Sequence, residues 1–428
     1  YSICSKNLPG LIPFAEEVLD IKVLPNPQIK EVKKKYVSKQ KVNKKFMDEV
    51  ISIFDEDRFT CSEEERLLHS HGQTTSDEVY KVLYSRLETF TDLVFYIESE
   101  EEAKTLIKLA KKHNVCLIPF GGGTSVSNAL KIPKDEKRMV VSVDTRRMNK
   151  IESIDEENLL ATVQSGILGV DLESKLREIG YTAGHEPDSI EFSTLGGWIS
   201  TNASGMKKHR YGNIEDIVQN ITLITPSGTI NQIKPLTRSS FGVKTQNLIF
   251  GSEGNFGIIT KATIRIHKKP EASTFESILF HNWEDGVAFM KRVARSNLIP
   301  ASSRLMDNSM VRFASALKED KTGFKKLIDS IKNFFLFKVK GFDPKRCVVA
   351  IFKMEGSHQE VLYQKKNLNV LAKDFNPVFA GSNQGKSGYN LTLAIAYIRD
   401  FFMDQNIIGE TLESAVPWSD VIKVSEAV

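Results

Sequence analysis

Between residues 91 and 123, apolar and polar positions follow first a strand period, then a helix period, then a strand period again. TDLVFYIES is short and rich in β-branched and aromatic residues, so it predicts a strand. Ser99 and Glu102 then form a capping box, the usual start of a helix. Apolar residues recur at helical spacing at Ala103, Leu106, Ile107 and Ala110. With NVCLIPF as the next strand, the pattern predicts a β-α-β unit that ends in a triple glycine.

Strand and helix patterns continue to alternate beyond this unit. RMVVSVDT, LLATVQSG and KATIRIH predict strands, and GVDLESKLREIG predicts a helix with Val170, Leu172 and Leu176 on its apolar side. After KKPEAS, the stretches SILFHNWEDGVAFMKRVARS and CVVAIFKMEG indicate a second α/β segment. We therefore expect three parts: a mostly helical and irregular segment over 1–86, a domain over 87–269 and another over 270–428.

Composition narrows the class of protein. The chain has 428 residues, 41% of them hydrophobic, which is ample for real cores. Its 58 basic and 54 acidic residues leave a net charge of +4, which gives no case for nucleic-acid binding. The four cysteines form no CxxC pair and fit a reducing compartment. No apolar run approaches the roughly 18 residues that a membrane-spanning helix needs, so we do not expect an integral membrane protein.

Three glycine-rich stretches are the candidate chemistry. IPFGGGTSVS is neither a P-loop nor a GxGxxG turn, and alone it is equally consistent with a tight turn that binds nothing. GHEPDSIEFSTLGGWISTNASGMKKHRYG and LIFGSEGNFGIIT have the same small-residue character within one block of the chain. Because glycine lets a ligand approach the backbone closely, these loops together predict an extended, phosphate-bearing cofactor held by distributed backbone contacts.

The same stretches carry a family resemblance. PFGGGTSVS, GHEPDS, GGWISTNASGMKKHRYGNIED and GSEGNFGIIT resemble the FAD-binding domain of the vanillyl-alcohol-oxidase class of flavoproteins. Within that class, EPDSIEFST, RLMDN, KGFDP and AYIRD resemble the alkyldihydroxyacetonephosphate synthase family over essentially the whole chain. The resemblance implies an α+β fold, with a two-subdomain FAD-binding domain over 87–269 and an α/β substrate-binding cap domain over 270–428.

The resemblance also implies which residues hold FAD. Many members attach the flavin covalently through a His near the glycine loop, but here Thr124 follows Gly123, so we expect non-covalent FAD. The implied pyrophosphate contacts are Pro119, Phe120, Gly121, Gly122, Gly123, Thr124 and Ser125. The implied contacts to the rest of the cofactor are Pro187, Asp188, Ser189, Ile190, Glu191, Phe192, Ser193, Thr201, Asn202, Ala203, Ser204, Glu253, Gly254, Asn255, Phe256, Gly257, Ile258 and Ile259.

The family's reaction exchanges the acyl chain of acyl-dihydroxyacetone phosphate for a long-chain fatty alcohol, through a flavin N5 adduct and without net redox change. By resemblance, Arg399 binds the substrate phosphate and Arg304 holds the site active; from the residues alone, each is more simply a salt-bridge partner. His185 is a candidate catalytic residue, with a hydrogen-bonded structural role as the alternative. The family's general-base tyrosine lies beyond PWSD, so we expect this sequence to be truncated before it.

Several further expectations depend on the same resemblance or on weak patterns. FKKLIDSIKNFFLF is amphipathic, which suggests contact with a membrane surface or a place in the core, through Phe324, Leu327, Ile328, Ile331, Phe334 and Phe335. The resemblance implies the luminal face of the peroxisomal membrane and allows a homodimer. No metal site is expected, because His69 and His71 lack further ligand residues. The alternatives are an FAD-dependent 2-hydroxyacid dehydrogenase of the D-lactate type and a non-catalytic flavin-binding scaffold.

Overall fold

The chain folds into two compact units. The computed structural model describes residues 8–23, 35–232, 240, 242–317, 338–403 and 405–428, without the side chains of 393–397. Ile29–Lys269 forms one unit, which we call the central unit. Pro270–Val428 and the first residues, Tyr1–Gln28, form the other, which we call the terminal unit. The division falls between Lys269 and Pro270.

The elements are numbered along the described chain. The terminal unit begins with α1 (Leu11–Leu19). The helices of the central unit are α2 (Lys44–Ile53), α3 (Glu63–Leu68), α4 (Ser76–Leu83), α5 (Glu100–His113), α6 (Gly169–Glu178), α7 (Leu195–Thr201), α8 (Lys208–Tyr211) and α9 (Ile214–Ile217), with short 3-10 turns at Glu56–Arg58 and Thr245–Leu248. Its strands are β1 (Phe59–Thr60), β2 (Leu93–Tyr96), β3 (Cys116–Phe120), β4 (Val140–Asp144), β5 (Ile151–Asp155), β6 (Leu160–Gln164), β7 (Tyr181–Thr182), β8 (Val218–Thr225), β9 (Gly228–Ile230), β10 (Ile258–Arg265) and β11 (His267–Lys268).

The first sheet of the central unit has the strand order β1-β2-β4-β3, with β2, β4 and β3 parallel and β1 antiparallel at the edge. Helix α5 connects β2 to β3, which confirms the predicted β-α-β unit. The Ser99 hydroxyl accepts from the Glu102 amide at 3.2 Å, while the Glu102 carboxylate accepts from the Glu98 amide at 2.8 Å, one residue earlier than in a standard capping box. Strand β3 therefore ends at Phe120, directly before the glycines.

The second sheet is antiparallel, in the order β5-β6-β10-β8-β9, and β7 pairs with β11 beside it. Helices α6 and α7 contribute to the hydrophobic core that this sheet buries. Leu172 and Leu176 of α6 are buried as predicted, but Val170 is 44% exposed, so its predicted place on the apolar face is wrong. Residues two apart on a helix point about 200° apart, which puts Val170 and Leu172 on opposite faces.

The segment 1–86, predicted as one N-terminal piece, is divided between the units. Helix α1 belongs to the terminal unit, where the Phe14 and Phe313 rings lie 5.5 Å apart and Arg312 pairs with Glu17 at 2.6 Å. The rest belongs to the central unit, because Phe46 of α2 is fully buried in the core of the first sheet. The correction has a simple physical cause: each piece buries its apolar face where a distant element completes the core.

The terminal unit is built on one antiparallel sheet in the order β13-β14-β12-β15. Its elements after α1 are β12 (Ala272–Phe280), α10 (Trp283–Ala294), β13 (Ser302–Met306), α11 (Asn308–Ala316), β14 (Val348–Gly356), α12 (His358–Ala372), a 3-10 turn at Lys373–Phe375, β15 (Val378–Phe379), α13 (Ser382–Met403) and α14 (Val421–Ala427). Phe280, Phe289, Phe352 and Leu368 share a core between the sheet and α10 and α12.

Helix α13 lies on the other face of this sheet. A Cβ atom at Gly385 would lie 2.9 Å from the carbonyl oxygen of Glu276, and one at Gly388 would overlap the Ile351 side chain. Because glycine has no Cβ, the helix can lie directly on the strands at these two positions. Among the described helices, none is both long and apolar enough to cross a membrane. The amphipathic stretch from Phe324 to Phe335 lies outside the described residues.

Two leucines on α12 test this arrangement. Leu368 is fully buried and Leu362 is 68% exposed on the same helix. We expect Leu368→Ala to lower the free energy of unfolding of the terminal unit by about 2–5 kcal/mol, because it leaves a cavity in the core. Leu362→Ala should change it by less than about 0.5 kcal/mol. Urea unfolding followed by tryptophan fluorescence would measure both; equal losses would contradict the assigned faces of α12.

Candidate functional site

Four loops of the central unit converge at the end of β3. They are 119–127, 187–194, 200–204 and 251–257, and together we call them the glycine cradle. The Ser127 hydroxyl donates to the Glu253 carboxylate at 2.6 Å, and the Glu253 amide donates to the Ser200 carbonyl at 2.9 Å. The glycine-rich stretches predicted to act together are therefore neighbours in the fold.

The triple glycine is required by the protein's own packing. A Cβ atom at Gly122 would overlap the Phe192 carbonyl, and one at Gly121 would overlap the Thr194 hydroxyl. Gly123 has a φ of +66°, in the left-handed region that favours glycine. The 119–127 loop can therefore lie against the 187–194 loop only because these side chains are absent.

The backbone amides of the 119–127 loop are the strongest sign of a ligand. Within the part of the chain that the structure describes, no group accepts a hydrogen bond from the N–H groups of Gly121, Gly122, Gly123, Thr124 or Ser125. Such a run of consecutive unpaired amides with a left-handed residue within it forms an anion-binding nest. The two phosphates of FAD fit this donor set, because phosphate oxygens only accept hydrogen bonds.

The 251–257 loop is shaped by left-handed residues. Glu253 has a φ of +48°, unusual for a residue with a side chain, and Gly254 follows at +82°. A Cβ at Gly254 would lie 3.0 Å from Pro119 Cδ, and one at Gly257 would overlap the Ile224 carbonyl. The loop therefore passes close to the start of the glycine loop and enters β10 without space for larger residues.

The 187–194 loop is a tight turn anchored to α7. The Phe192 amide donates to the Ser189 carbonyl at 2.9 Å, and Trp198 Nε1 donates to the Ser193 hydroxyl at 2.7 Å. At the other end of α7, Asn202 adopts a left-handed φ of +50°. Phe192 and Phe256 are more than half exposed, so the cradle presents aromatic surface as well as amides. An extended ligand with an apolar ring system suits such a surface.

His185 lies deep beside this turn. The residue is 3% exposed, its ring lies 4.7 Å from the Trp198 ring, and neither ring nitrogen has a hydrogen-bond partner among the described residues. Burial, together with the nearby Lys207 ammonium, lowers the pKa of His185 to about 4, so the imidazole is neutral at pH 7. A buried imidazole without partners is costly, which makes His185 a candidate for contact with a bound molecule.

Some predicted contact residues use their side chains in contacts within the protein. Phe120 is buried with its ring 4.4 Å from that of His69, and its carbonyl accepts from the Thr145 amide at 3.0 Å. Ile258 and Ile259 are buried at the start of β10. Thr201 donates its hydroxyl to the Gly197 carbonyl at 2.9 Å. The side chains of Phe120, Ile258 and Ile259 are buried, whereas the exposed Thr201 hydroxyl can still accept a hydrogen bond; the cofactor roles of all four residues stay predictions.

A neighbouring segment that sequence reasoning left without a function lies against the glycine loop. The Gln73 amide donates to the Gly123 carbonyl at 2.7 Å, and the Thr74 hydroxyl donates to the Thr124 carbonyl at 3.2 Å. Just before them, HSHG places two histidines beside a glycine. Among the described residues, no group of three or more His, Cys, Asp or Glu residues is arranged to hold a metal.

His69 of this segment joins a buried charge network under the cradle. Its Nε2 donates to Asp144 Oδ2 at 2.9 Å, and Arg146 pairs with the same carboxylate at 2.5 Å. Burial raises the pKa of Asp144, but the hydrogen bonds from His69 and Arg146 outweigh that effect and hold its pKa below the ordinary value. The carboxylate at the end of β4 is therefore ionised at neutral pH and fixes the segment beneath the loop.

The two predicted arginines lie in the terminal unit. Arg304 on β13 donates to the Thr392 hydroxyl on α13. Arg399 lies seven residues, or about two turns, further along the same helix. Its guanidinium donates from Nη2 and Nε to Asp400 Oδ1 at 2.8 and 3.0 Å, and its side chain is 13% exposed. Arg304 thus contacts the helix that carries Arg399.

The sheet face under α13 carries a further cation that the sequence pattern did not single out. Lys353 Nζ lies 3.3 Å from the buried Glu355 carboxylate and 4.7 Å from the centre of the Tyr389 ring. Lys353 and Arg304 lie on neighbouring strands, since Arg304 pairs with Ile351 and Ser302 with Lys353. Because alternate residues share a face, the Lys353 and Arg304 side chains lie on the same side of the sheet, towards α13.

Comparisons with known proteins agree with this division of the chain. Residues 91–234 match the family model described as an FAD binding domain, and residues 269–428 match the model of the C-terminal domain of FAD linked oxidases. The first match covers three loops of the glycine cradle but neither the 251–257 loop nor the segment around His71. FAD is therefore the cofactor of this chain.

The similarity to one group of proteins covers the whole chain. It is 39% identical to the alkyldihydroxyacetonephosphate synthase of Caenorhabditis elegans over 100% of this chain and 71% of that protein. A solved structure of alkyldihydroxyacetonephosphate synthase superposes with a TM-score of 0.88 at 30% identity, covering 98% of this chain and 77% of that one. The mitochondrial D-lactate dehydrogenase of Saccharomyces cerevisiae is 29% identical over only 56% of this chain and 41% of its own. The chain belongs to the alkyldihydroxyacetonephosphate synthase family.

Proposed function

We propose that this protein is an FAD-dependent transferase that exchanges the acyl chain of acyl-dihydroxyacetone phosphate for a long-chain fatty alcohol. The observation that carries the proposal is similarity over the whole chain to a protein named for this synthesis, joined to an anion-binding nest of the right chemistry. In the reaction, the bond between the dihydroxyacetone carbon and the carboxylate oxygen breaks and a bond from that carbon to the alcohol oxygen forms. A fatty acid leaves with the alcohol's proton, and no electrons are gained or lost overall.

The glycine cradle would hold the cofactor. The amides of Gly121–Ser125 suit its pyrophosphate, and the exposed rings of Phe192 and Phe256 suit its apolar parts. Bound FAD supplies an electron-accepting ring system that can act on the carbon next to a carbonyl group. The chain's own contribution is to fix the position of this ring system and to exclude water from it.

Arg399 is the group we assign to the substrate phosphate. Its planar guanidinium can bind two phosphate oxygens at once and stays charged at every physiological pH. The side chain is already largely buried and oriented by Asp400, so little further ordering is needed when a phosphate binds. Arg304 does not need to touch substrate in this proposal: through Thr392 it holds the helix on which Arg399 lies.

Several features of the proposal rest on the resemblance alone. They are peroxisomal location, contact with a membrane surface, a possible homodimer and the non-covalent state of FAD. For the last, the chain offers Thr124 where many members of the class place a flavin-bearing histidine. Flavin that leaves the protein on acid precipitation would support it, and flavin that stays in the pellet would count against it.

Gly122→Ala tests the cradle. A Cβ atom there would push the Phe192 carbonyl away and open the contact between the two loops. We expect FAD to bind at least about tenfold more weakly, because the amides of the nest lose their arrangement. Quenching of FAD fluorescence on titration with apoprotein would measure the affinity. Gly409→Ala, in open space, is the matched control and should bind FAD like the parent; unchanged affinity in Gly122→Ala would contradict the assignment.

Arg399→Lys tests the substrate site. Lysine keeps the charge but lacks the planar fork, so we expect kcat/KM for acyl-dihydroxyacetone phosphate to fall by about 10- to 100-fold. The measurement is formation of the ether product by full-length protein without an added electron acceptor. Arg312→Lys, whose arginine pairs with Glu17, is the control and should leave kcat/KM unchanged. Equal rates for Arg399→Lys and the parent would remove Arg399 from the phosphate site.

The same preparations separate the rival functions. A 2-hydroxyacid dehydrogenase would bleach its flavin when D-lactate is added and would need an electron acceptor to turn over. A scaffold would bind FAD and do neither. Ether formation in the absence of any acceptor is the outcome that only the proposed exchange predicts.

A further inference from the structure

Two carbonyl groups of the anion-binding nest are held by one neighbouring segment. The Gln73 amide donates to the Gly123 carbonyl at 2.7 Å, and the Thr74 hydroxyl donates to the Thr124 carbonyl at 3.2 Å. Two adjacent residues thus bind two adjacent carbonyls of the glycine loop. We call the segment 72–75 the backing turn, and it lies outside the residues that match the FAD-binding family model.

The direction of these two carbonyls fixes the direction of the amides that follow them. In a trans peptide, the C=O of one residue and the N–H of the next lie in one plane and point in opposite directions. The Gly123 carbonyl points to the backing turn, so the Thr124 N–H points away from it. The Thr124 carbonyl also points to the backing turn, so the Ser125 N–H points away as well. Two consecutive amides therefore share one side of the loop, as an anion-binding nest requires.

A similar contact orients the first amide of the nest. The Phe120 carbonyl accepts from the Thr145 amide at 3.0 Å and from the Thr145 hydroxyl at 3.1 Å. The Gly121 N–H therefore points away from Thr145. Thr145 belongs to the part of the chain that matches the FAD-binding family model, whereas the two later amides depend on the backing turn.

The Thr124 and Ser125 amides lie in a part of the loop that solvent reaches. Both residues are partly exposed, and neither N–H has an acceptor among the described residues. Phosphate oxygens accept hydrogen bonds and carry negative charge, so the pyrophosphate is the group of FAD that suits these donors.

The backing turn is itself held by a buried carboxylate. Glu78 is 5% exposed and accepts from the Gly72 amide at 2.6 Å and from the Thr75 hydroxyl at 2.8 Å. A Cβ atom at Gly72 would lie only 2.5 Å from Glu78 Oε2, so glycine leaves the space that the carboxylate needs. Glu78 thus binds the residues on both sides of Gln73 and Thr74, which holds these two against the loop.

We propose that the backing turn orients the pyrophosphate-binding amides of the glycine loop, with Thr74 as a positioning residue for FAD. The Thr74 hydroxyl does not touch the cofactor in this proposal. It holds the Thr124 carbonyl, and the Ser125 N–H faces the phosphate as a consequence. The inference rests on FAD as the cofactor and not on the exchange reaction. It extends the cofactor site to a segment that precedes the recognised FAD-binding domain in the chain.

Thr74→Val tests this role, because valine has the shape of threonine without the hydroxyl. The Thr124 carbonyl loses its donor and can turn, and the Ser125 N–H turns with it. We expect FAD to bind about three- to tenfold more weakly to Thr74→Val apoprotein than to the parent. Thr74→Ser keeps a hydroxyl and should recover most of that loss. Quenching of FAD fluorescence would give the dissociation constants.

ADP shows whether the loss of affinity lies at the phosphates. This ligand shares the pyrophosphate with FAD but lacks the flavin and its ribityl chain. If Thr74 acts through the nest, Thr74→Val weakens the binding of ADP and of FAD by about the same factor. A general loosening of the cradle would weaken FAD more than ADP, because FAD extends along more of the cradle. Isothermal titration of each apoprotein with ADP would give the constants.

The phosphorus NMR spectrum of bound FAD reports on the phosphates directly. A change in the hydrogen bonds that the phosphates accept should shift at least one of the two phosphorus signals in Thr74→Val, and the signal should return to its place in Thr74→Ser. Thr229→Val, at an exposed threonine of β9, is the control and should resemble the parent in affinity and in spectrum.

Three outcomes overturn the proposal. In the first, Thr74→Val binds FAD and ADP like the parent, or weakens FAD alone. In the second, Thr74→Ser loses as much affinity as Thr74→Val. In the third, the phosphorus signals of FAD bound to Thr74→Val are those of the parent, whatever the melting temperature of the apoprotein, because the hydroxyl would then have a structural role only. Normal FAD binding by the parent without exchange activity would instead count against the proposed function alone.

Discussion

The central unit depends on one close approach, the contact of Gly122 with the carbonyl of Phe192. The two residues are attached to different sheets. Gly122 follows β3 of the parallel sheet, and Phe192 lies in the turn before α7, which packs against the antiparallel sheet. Two rigid layers are thus joined by backbone with no side chain between them. The unpaired amides follow from this contact, because a loop pressed against a neighbouring turn and bent through a left-handed Gly123 cannot pair its own N–H groups.

Glycine also allows close packing in the terminal unit, here between a helix and a sheet. Gly385 and Gly388 let α13 lie directly on the sheet, so that the strand face beneath it can hold charged groups near the helix. Lys353 with Glu355 and Arg304 with Thr392 are such contacts. Burying charge costs free energy unless partners are supplied, and here Glu355 and Thr392 are the partners.

The features that could be predicted from the sequence are those determined by residues close together in the chain. The β-α-β unit could be predicted because its signals are local: Ser99 caps the helix, Leu106 lies on its buried face, and a strand pattern precedes the glycines. The glycine loops could be predicted because clusters of glycine can be seen directly in the sequence. The prediction for Val170 is wrong because the angle of a residue around the helix axis, and not its apolar character alone, decides which face it lies on.

The contact of the segment around Thr74 with the glycine loop could not be predicted in this way. Thr74 meets Thr124 across 50 residues of sequence, and no periodic pattern joins them. His71 also looks like an ordinary polar residue until the fold shows that it is buried and that one nitrogen has no partner. Only the folded unit brings this segment beside the glycine loop.

The placement of α1 has a consequence for how the chain is made. Leu11 and Ala15 are buried in a unit whose other residues begin at Pro270, so during synthesis α1 leaves the ribosome well before its partner α11 has been made. During that interval the whole central unit can fold, while an apolar helix remains unpaired on the nascent chain. The core of the terminal unit is thus completed by a helix that was made before the whole central unit, and a fragment that starts at Pro270 would lack that helix.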